Sequence, residues 1–153
     1  MIGRILSGGQ SGADRAALDF ARQQRIPSGG WCPKGRRAED GRIPERYPLQ
    51  ETASENYAER TRQNVMGSDG TLVLHSGPLQ GGTLLTLELA DRLGKPRLLC
   101  DLRRPPAPRQ VRAWLQQHRI RALNVAGPRE SQRPGIYRQA LAYLRRVADC
   151  PEP

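Results

Sequence analysis

Little in this chain is aromatic. Phe, Trp and Tyr make up 5% of its 153 residues, too few for the exposed rings on which single-stranded nucleic acid stacks. Long apolar runs are missing as well. No run approaches the eighteen residues of a membrane-crossing helix, and the N-terminus passes straight into a strand-like segment without a signal-peptide core. Cysteine is scarce. Cys32, Cys100 and Cys150 are odd in number and far apart, with no CxxC or Cys/His spacing. This pattern implies no disulfide framework and gives no ground for zinc. His75 and His118 each stand alone, without a Cys or Asp partner at metal spacing, so no metal site is expected. A soluble cytoplasmic protein with no membrane contact is the expectation, and a mean hydropathy of -0.69 fits a very polar surface.

Positive charge is abundant, mostly as arginine. Twenty-five Lys and Arg face fifteen Asp and Glu, a net charge of +10. Basic surfaces suit phosphate backbones. Here, however, the cations read as spread along the chain, without a basic tail or a nucleic-acid motif, and a coding bias toward arginine gives the same composition. Nucleic acid is therefore the disfavoured partner. A small phosphorylated ligand suits an arginine-rich protein equally well, because guanidinium pairs with phosphate bidentately.

Strand-like and helix-like segments alternate. "IGRIL" reads as a buried strand, and "ADRAALDFARQQR" as a helix with Ala17, Phe20 and Ala21 on one stripe. A Gly-, Pro- and charge-rich insert over 26–49 follows, the kind of long irregular segment that is often functional. Thr52 and Glu55 have capping-box spacing and predict a helix over "ENYAERTRQNVM". Strands are then expected at "GTLVLH", "PRLLCDL" and "IRALNVAG". Helices are expected at "LLTLELADRLG", "RQVRAWLQQHR" and "IYRQALAYLRRVAD". No repeat or linker divides the chain, so one domain over 1–153 is expected. The order predicts an α/β fold, a Rossmann-like three-layer sandwich with a mainly parallel sheet flanked by helices. Ligands of such folds bind at the carboxyl ends of the strands. Three strands lead into glycine-containing loops, at Ser7–Gly12, Ser76–Thr83 and Gly127–Gly135, which share one sheet edge.

The first loop, "SGGQSGAD", can aim backbone N–H groups at an anion placed against Gly8, Gly9 and Gly12, with Ser7, Gln10 and Ser11 as side-chain donors. Asp14 falls in the first helical turn. The pattern is neither GxGxxG nor Walker A, so P-loop chemistry is not indicated. Gly81, Gly82 and Thr83 repeat the logic. Glu88 lies about 140° further round that helix, where a solvated side chain is the simpler reading. Tyr57, Arg60 and Asn64 share a helix face, with Thr61 beside them. The insert offers Lys34, Arg36, Arg37, Glu39 and Asp40. Cys32 reads as a buried, inert thiol.

The stretches "SGGQSGADRAALDFA", "GGWCPKGRRAEDGRIPERYPLQET", "YAERTRQNV", "SDGTLVL", "GGTLLTLELA", "GKP" and "LNVAGPRES", in this order, closely resemble the molybdenum carrier family. That family is also described as a circularly permuted YpsA-like branch of the SLOG superfamily. The resemblance runs from Ile2 to the last helix. It implies a Rossmann-like fold assembled as a homodimer or homotetramer, and a pocket for a nucleotide or for the molybdenum cofactor, molybdopterin. It also implies handover to molybdoenzymes. Carried over residue by residue, its ligand-binding positions are Ser7, Gly8, Gly9, Gln10, Ser11, Gly12 and Asp14, then Lys34 and Arg36, and Arg60 and Asn64. Gly81, Gly82, Thr83, Arg129 and Ser131 complete the set. Ser11 stands where Thr is expected, and Gly70 where Ala is. The superfamily also contains lonely-guy-type phosphoribohydrolases of nucleoside monophosphates. For that alternative the candidate catalytic residues are Glu88 and Arg60, although "LQGGTLLTLE" departs from the hydrolase loop "PGGxGTxxE" in its proline, glycine spacing and Glu position.

Overall fold

A computed structural model describes residues 2–152, so Met1 and Pro153 of the expected 1–153 domain lie outside it. In chain order the elements are β1 (Arg4–Leu6), α1 (Ala13–Gln24), β2 (Ser28–Gly29), β3 (Trp31–Cys32), β4 (Arg37–Ala38), β5 (Gly41–Arg42) and β6 (Gln50–Glu51). They continue with α2 (Tyr57–Met66), β7 (Gly70–His75), α3 (Gly81–Arg92), β8 (Arg97–Asp101), α4 (Pro108–Gln117), β9 (Ala122–Ala126) and α5 (Ile136–Asp149).

Five strands form one sheet in the order β2-β1-β9-β7-β8, and every pairing in it is parallel. β7 is buried along its whole length, as a strand covered on both faces must be. The fold is α/β and Rossmann-like. The chain moves outward from β1 to β2, crosses to β7 and β8, and returns to place β9 between β1 and β7. β1, β9 and β7 are thus neighbours, and the loops that leave their carboxyl ends converge. This is the crevice where such sheets bind ligands.

One face carries the main core. Ile5, Leu72, Leu74, Leu123 and Val125 of the strands pack against Ala16, Ala17 and Phe20 of α1, Val111 of α4, and Ile136 and Leu144 of α5. The alanines of α1 let α5 approach closely. The other face is covered by α2 and α3 over a small cluster of Val65, Leu89 and Ala90. Its strands also contribute polar groups: Asn124 Nδ2 donates to Thr71 Oγ1 at 3.3 Å in the interior.

The insert is more ordered than its composition suggested. It supplies β2 to the main sheet, pairs its β3 with β6 just beyond it and its β4 with its β5, and packs Cys32, Ile43, Tyr47 and Leu49 with Leu18 of α1 into a second small core. The Thr52–Glu55 capping box does not form. Thr52 Oγ1 donates to the Ser54 carbonyl, and Asn56 is the residue that caps α2, accepting from the Ala58 N–H at 2.9 Å. The charge is also less evenly spread than a first reading of the chain suggests. Residues 102–148 hold eleven arginines, no lysine and one acid, Glu130, so this stretch alone carries the whole net charge of +10. That surplus belongs to α4, β9, α5 and their connections, and it is no argument by itself about the cleft. Among the described residues no helix is long and apolar enough to cross a membrane.

Candidate functional site

The glycines of the first loop are approached by the protein itself. A Cβ on Gly8 would stand 2.0 Å from Nη1 of Arg60. Gly9, with φ of 72°, faces Leu49 and Ile43 of the insert, and Gly12, with φ of 78°, lies under the backbone of Pro128–Glu130. An added Cβ there would meet the Pro128 carbonyl oxygen at 2.4 Å. On the side where a Cβ would stand, Gly8, Gly9 and Gly12, the expected anion contacts, thus face the protein itself. The side chains are missing so that α2, the insert and the 127–135 loop can close on β1. Ser7 serves the same purpose, donating to the Asp14 carbonyl at 2.9 Å and accepting the Gly9 N–H. Ser11 Oγ accepts the Glu130 N–H at 3.1 Å.

Beside this junction lies a cleft of about 260 Å³ at the carboxyl edge of the sheet, lined by Gln10, Asp14, Tyr57, Arg60, Gly82, Thr83, Thr86, Ala126, Gly127, Arg129 and Gln132. All three glycine loops reach it. Gln10 and Asp14 come from the first, Arg129 and Gln132 from the third. α3 begins at Gly81, three residues earlier than its sequence pattern suggested, so Gly82 and Thr83 lie in its first turn. No side chain caps that N-terminus. Its first N–H groups therefore have no intrahelical partner, and they carry the positive end of the helix dipole.

Asp14 is the one carboxylate in the lining. It is 3% exposed, and burial raises its pKa above the usual carboxylate range, opposed by Arg60, the Gln10 N–H and Arg15. Both hydrogen bonds it accepts fall on Oδ2: from the Gln10 N–H at 3.3 Å and from Arg60 Nη1 at 3.4 Å. The latter is long for a charge-assisted bond. Arg60 also lies over the Tyr57 ring at 5.7 Å, and its Nε is buried without a partner. Gln10 is 2% exposed. Its Nε2 donates to the Arg37 carbonyl at 2.8 Å while its Oε1, also buried, accepts nothing.

Other expected ligand residues are occupied elsewhere. Arg36 is buried inside the insert, where its guanidinium donates to the carbonyls of Ile43, Leu49, Pro44 and Tyr47 at 2.8–3.1 Å. It organises that segment and does not line the cleft. Asn64 clasps the backbone N–H and carbonyl of Trp31. Lys34 is exposed and outside the lining. Gly81 stands at the start of α3, just outside it. Ser131 donates to Glu39 at 2.7 Å, tying the third loop to the β4–β5 hairpin. Glu88 is exposed on α3 and does not line the cleft. Asp40 is paired with Arg15, and Asp69 accepts the N–H groups of Arg121 and Ala122 at the start of β9. These acids are thus committed to separate partners. His75 Nδ1 bonds the Gly77 carbonyl. Cys32 is buried, which pushes its thiol pKa up.

Thr86 and Gln132 were not singled out from sequence. Thr86 could have been, since it stands three residues after Thr83 on the same helix face; Gln132 carries no such signal.

A profile described as the circularly permutated YpsA SLOG family matches residues 5–148. The chain belongs to the circularly permutated YpsA SLOG family. The described cleft thus lies wholly within the part that matches this SLOG family. The chain is also similar to a solved crystal structure named "Putative molybdenum carrier protein", from Syntrophus aciditrophicus SB. The two are 47% identical, over 95% of this chain and 94% of that one, with a TM-score of 0.91. No curated protein matches this SLOG-family chain.

Proposed function

We propose that this protein binds a small phosphate-bearing ligand in the cleft between β1, β9 and β7, and acts as a carrier or sensor. The observation that carries the reading is the uncapped N-terminus of α3 opening beside Arg60 and Arg129. Helix N–H groups, a hydroxyl at Thr83 and two guanidinium groups form the donor set that phosphate oxygens need. The ligand residues of this reading are Gln10, Asp14, Arg60, Gly82, Thr83 and Arg129, with Thr86 and Gln132 added. Ser7, Gly8, Gly9, Ser11 and Gly12 shape the site from behind. The molybdenum carrier name borne by the similar structure supports the molybdenum cofactor as cargo, with a molybdoenzyme as acceptor. A nucleotide satisfies the same donors.

Against the phosphoribohydrolase alternative, Glu88 is exposed on α3 and is not among the residues that line the cleft. Asp14 is the carboxyl that hydrolysis here would have to use.

The test is to purify the protein from a molybdenum-replete host, denature it, identify the released compounds by mass spectrometry and quantify molybdenum. The reading predicts a near-stoichiometric phosphate ester. Molybdenum in equal amount supports the carrier role, and a nucleotide without molybdenum supports a sensor. Release of free base from added nucleoside monophosphates would instead support the hydrolase.

A further inference from the structure

At the amino edge of the sheet, opposite the cleft, a second cavity of about 480 Å³ opens between α1, α4 and α5. Its walls are mainly apolar: Phe20 of α1, Val111 and Leu115 of α4, and Leu144 and Val147 of α5. The volume is that of a small-ligand site, and an apolar space of this kind stays dry and takes apolar guests. An adjoining pocket of about 350 Å³ shares Ile2, Arg112, Leu115 and Glu152 with it and adds Arg119 and Arg121. Arg25 also lines the larger cavity. The two together join an apolar interior to four arginines.

Glu152 is the one carboxylate in either lining, and Arg112 takes it. Among the described residues Arg25, Arg119 and Arg121 form no ion pair. Asp69 meets Arg121 through its backbone N–H. Arg25 and Arg119 have φ of 56° and 52°, the left-handed conformation that glycine usually supplies just past a helix. Glycine at either place would relieve the backbone and remove a cation from this edge.

The Arg112–Glu152 pair shows what the arginines accept. Arg112 Nη1 donates to the Val147 carbonyl at 3.1 Å, Nη2 pairs with Glu152, and Nε is buried without a partner. The arginine side chain is 18% exposed and the glutamate 63%. A carboxylate thus already sits on a mostly buried guanidinium beside an apolar cavity, and it is the exposed, displaceable member of the pair.

We propose that the amino-edge cavity is a second ligand site, which binds an aliphatic carboxylate. Its chain fills the apolar space between α1, α4 and α5, and its carboxylate replaces that of Glu152 on Arg112, with Arg119 and Arg121 beside it. A small polyanion would leave the cavity unfilled, and a neutral hydrocarbon would leave the arginines unanswered. The site shares no lining residue with the α3 cleft, so its occupancy is independent of phosphate binding there.

The experiment is calorimetric titration of the full chain with acetate, butanoate, hexanoate and octanoate, and with 1-octanol. Affinity is expected to rise about fourfold with each methylene buried, and octanoate should bind at least about tenfold tighter than 1-octanol, which lacks the charge. Glu152→Gln removes the competing carboxylate and should tighten octanoate about threefold. Arg119→Ala combined with Arg121→Ala, both on exposed side chains, should weaken octanoate and leave 1-octanol unchanged. The chain-length series needs no variant to fold. Acetate binding as tightly as octanoate, 1-octanol binding as tightly as octanoate, or no binding of any of the acids would each overturn the proposal.

Discussion

The guanidinium of Arg60 occupies the place that a side chain at residue 8 would take: a Cβ on Gly8 would stand 2.0 Å from Arg60 Nη1 and 3.0 Å from Asp14 Oδ2. The glycine thus determines where the arginine of the cleft can lie. Gly8→Ala pushes the flexible end of Arg60 aside and leaves the backbone free of clash. The expected outcome is a folded protein whose affinity for the co-purifying ligand drops by about tenfold or more, the loss of one charged hydrogen bond. Titration alongside a thermal melt separates the two effects.

At Gly12 the obstacle is backbone. Gly12→Ala forces a residue into φ of 78° and drives its Cβ to 2.4 Å from the Pro128 carbonyl oxygen. Strain of this kind costs about 1–3 kcal/mol before the clash is added. A domain of this size loses about 2–4 °C in Tm per kcal/mol. A melt within a degree of the wild type would contradict the described packing of the first and third loops.

Arg36 holds four backbone carbonyls inside the insert. Arg36→Lys places one ammonium where a planar fork was, and most of these acceptors lose their donor. Destabilisation of about 3 kcal/mol is expected, with proteolysis concentrated in 33–50. Limited digestion mapped by mass spectrometry checks it.

Burial raises the pKa of Asp14 above 3.8. Between that value and the raised one the folded protein binds more protons than the unfolded chain, so this group's contribution to stability falls as pH rises through the window. Asp14→Asn removes the buried charge. Without ligand it should melt higher than the wild type at pH 7.5, with the difference shrinking as pH falls toward 4. A difference that grows on acidification contradicts this. The same substitution weakens ligand binding, as expected where a site is held at a cost to the fold.

Glu88→Gln, on the exposed side of α3, should change stability by less than about 0.5 kcal/mol and leave ligand affinity unchanged. Loss of an N-glycosidic activity on this change would restore Glu88 to the site.

The sheet was legible in the sequence because its strands are short, apolar and bounded by loops, and the alternation with helices leaves few topologies. The convergence of three glycine loops followed from that order. What closes on those loops did not. A glycine tells that something comes near the backbone; whether it is a phosphate or Arg60 depends on a helix residue 52 positions from Gly8. Arg36 looked like an anion clamp because guanidinium suits phosphate, and it suits four inward carbonyls equally well. The insert looked irregular because the contacts that order it are distant, among them the Tyr47 phenol donating to Asp19 of α1 at 2.5 Å. Helix starts were placed late or early where backbone geometry decided: Asn56 caps α2 in place of Thr52, and α3 opens with Gly81 at φ of 57°.

The most direct test of the central claim is a crystal structure of the protein purified with its ligand retained. Phosphate density is expected against the first turn of α3 at Gly82 and Thr83, within reach of Arg60 and Arg129. A ligand seated instead in the open depression lined by Arg15, Tyr47, Glu130 and Tyr137, with the α3 cleft empty, would contradict it.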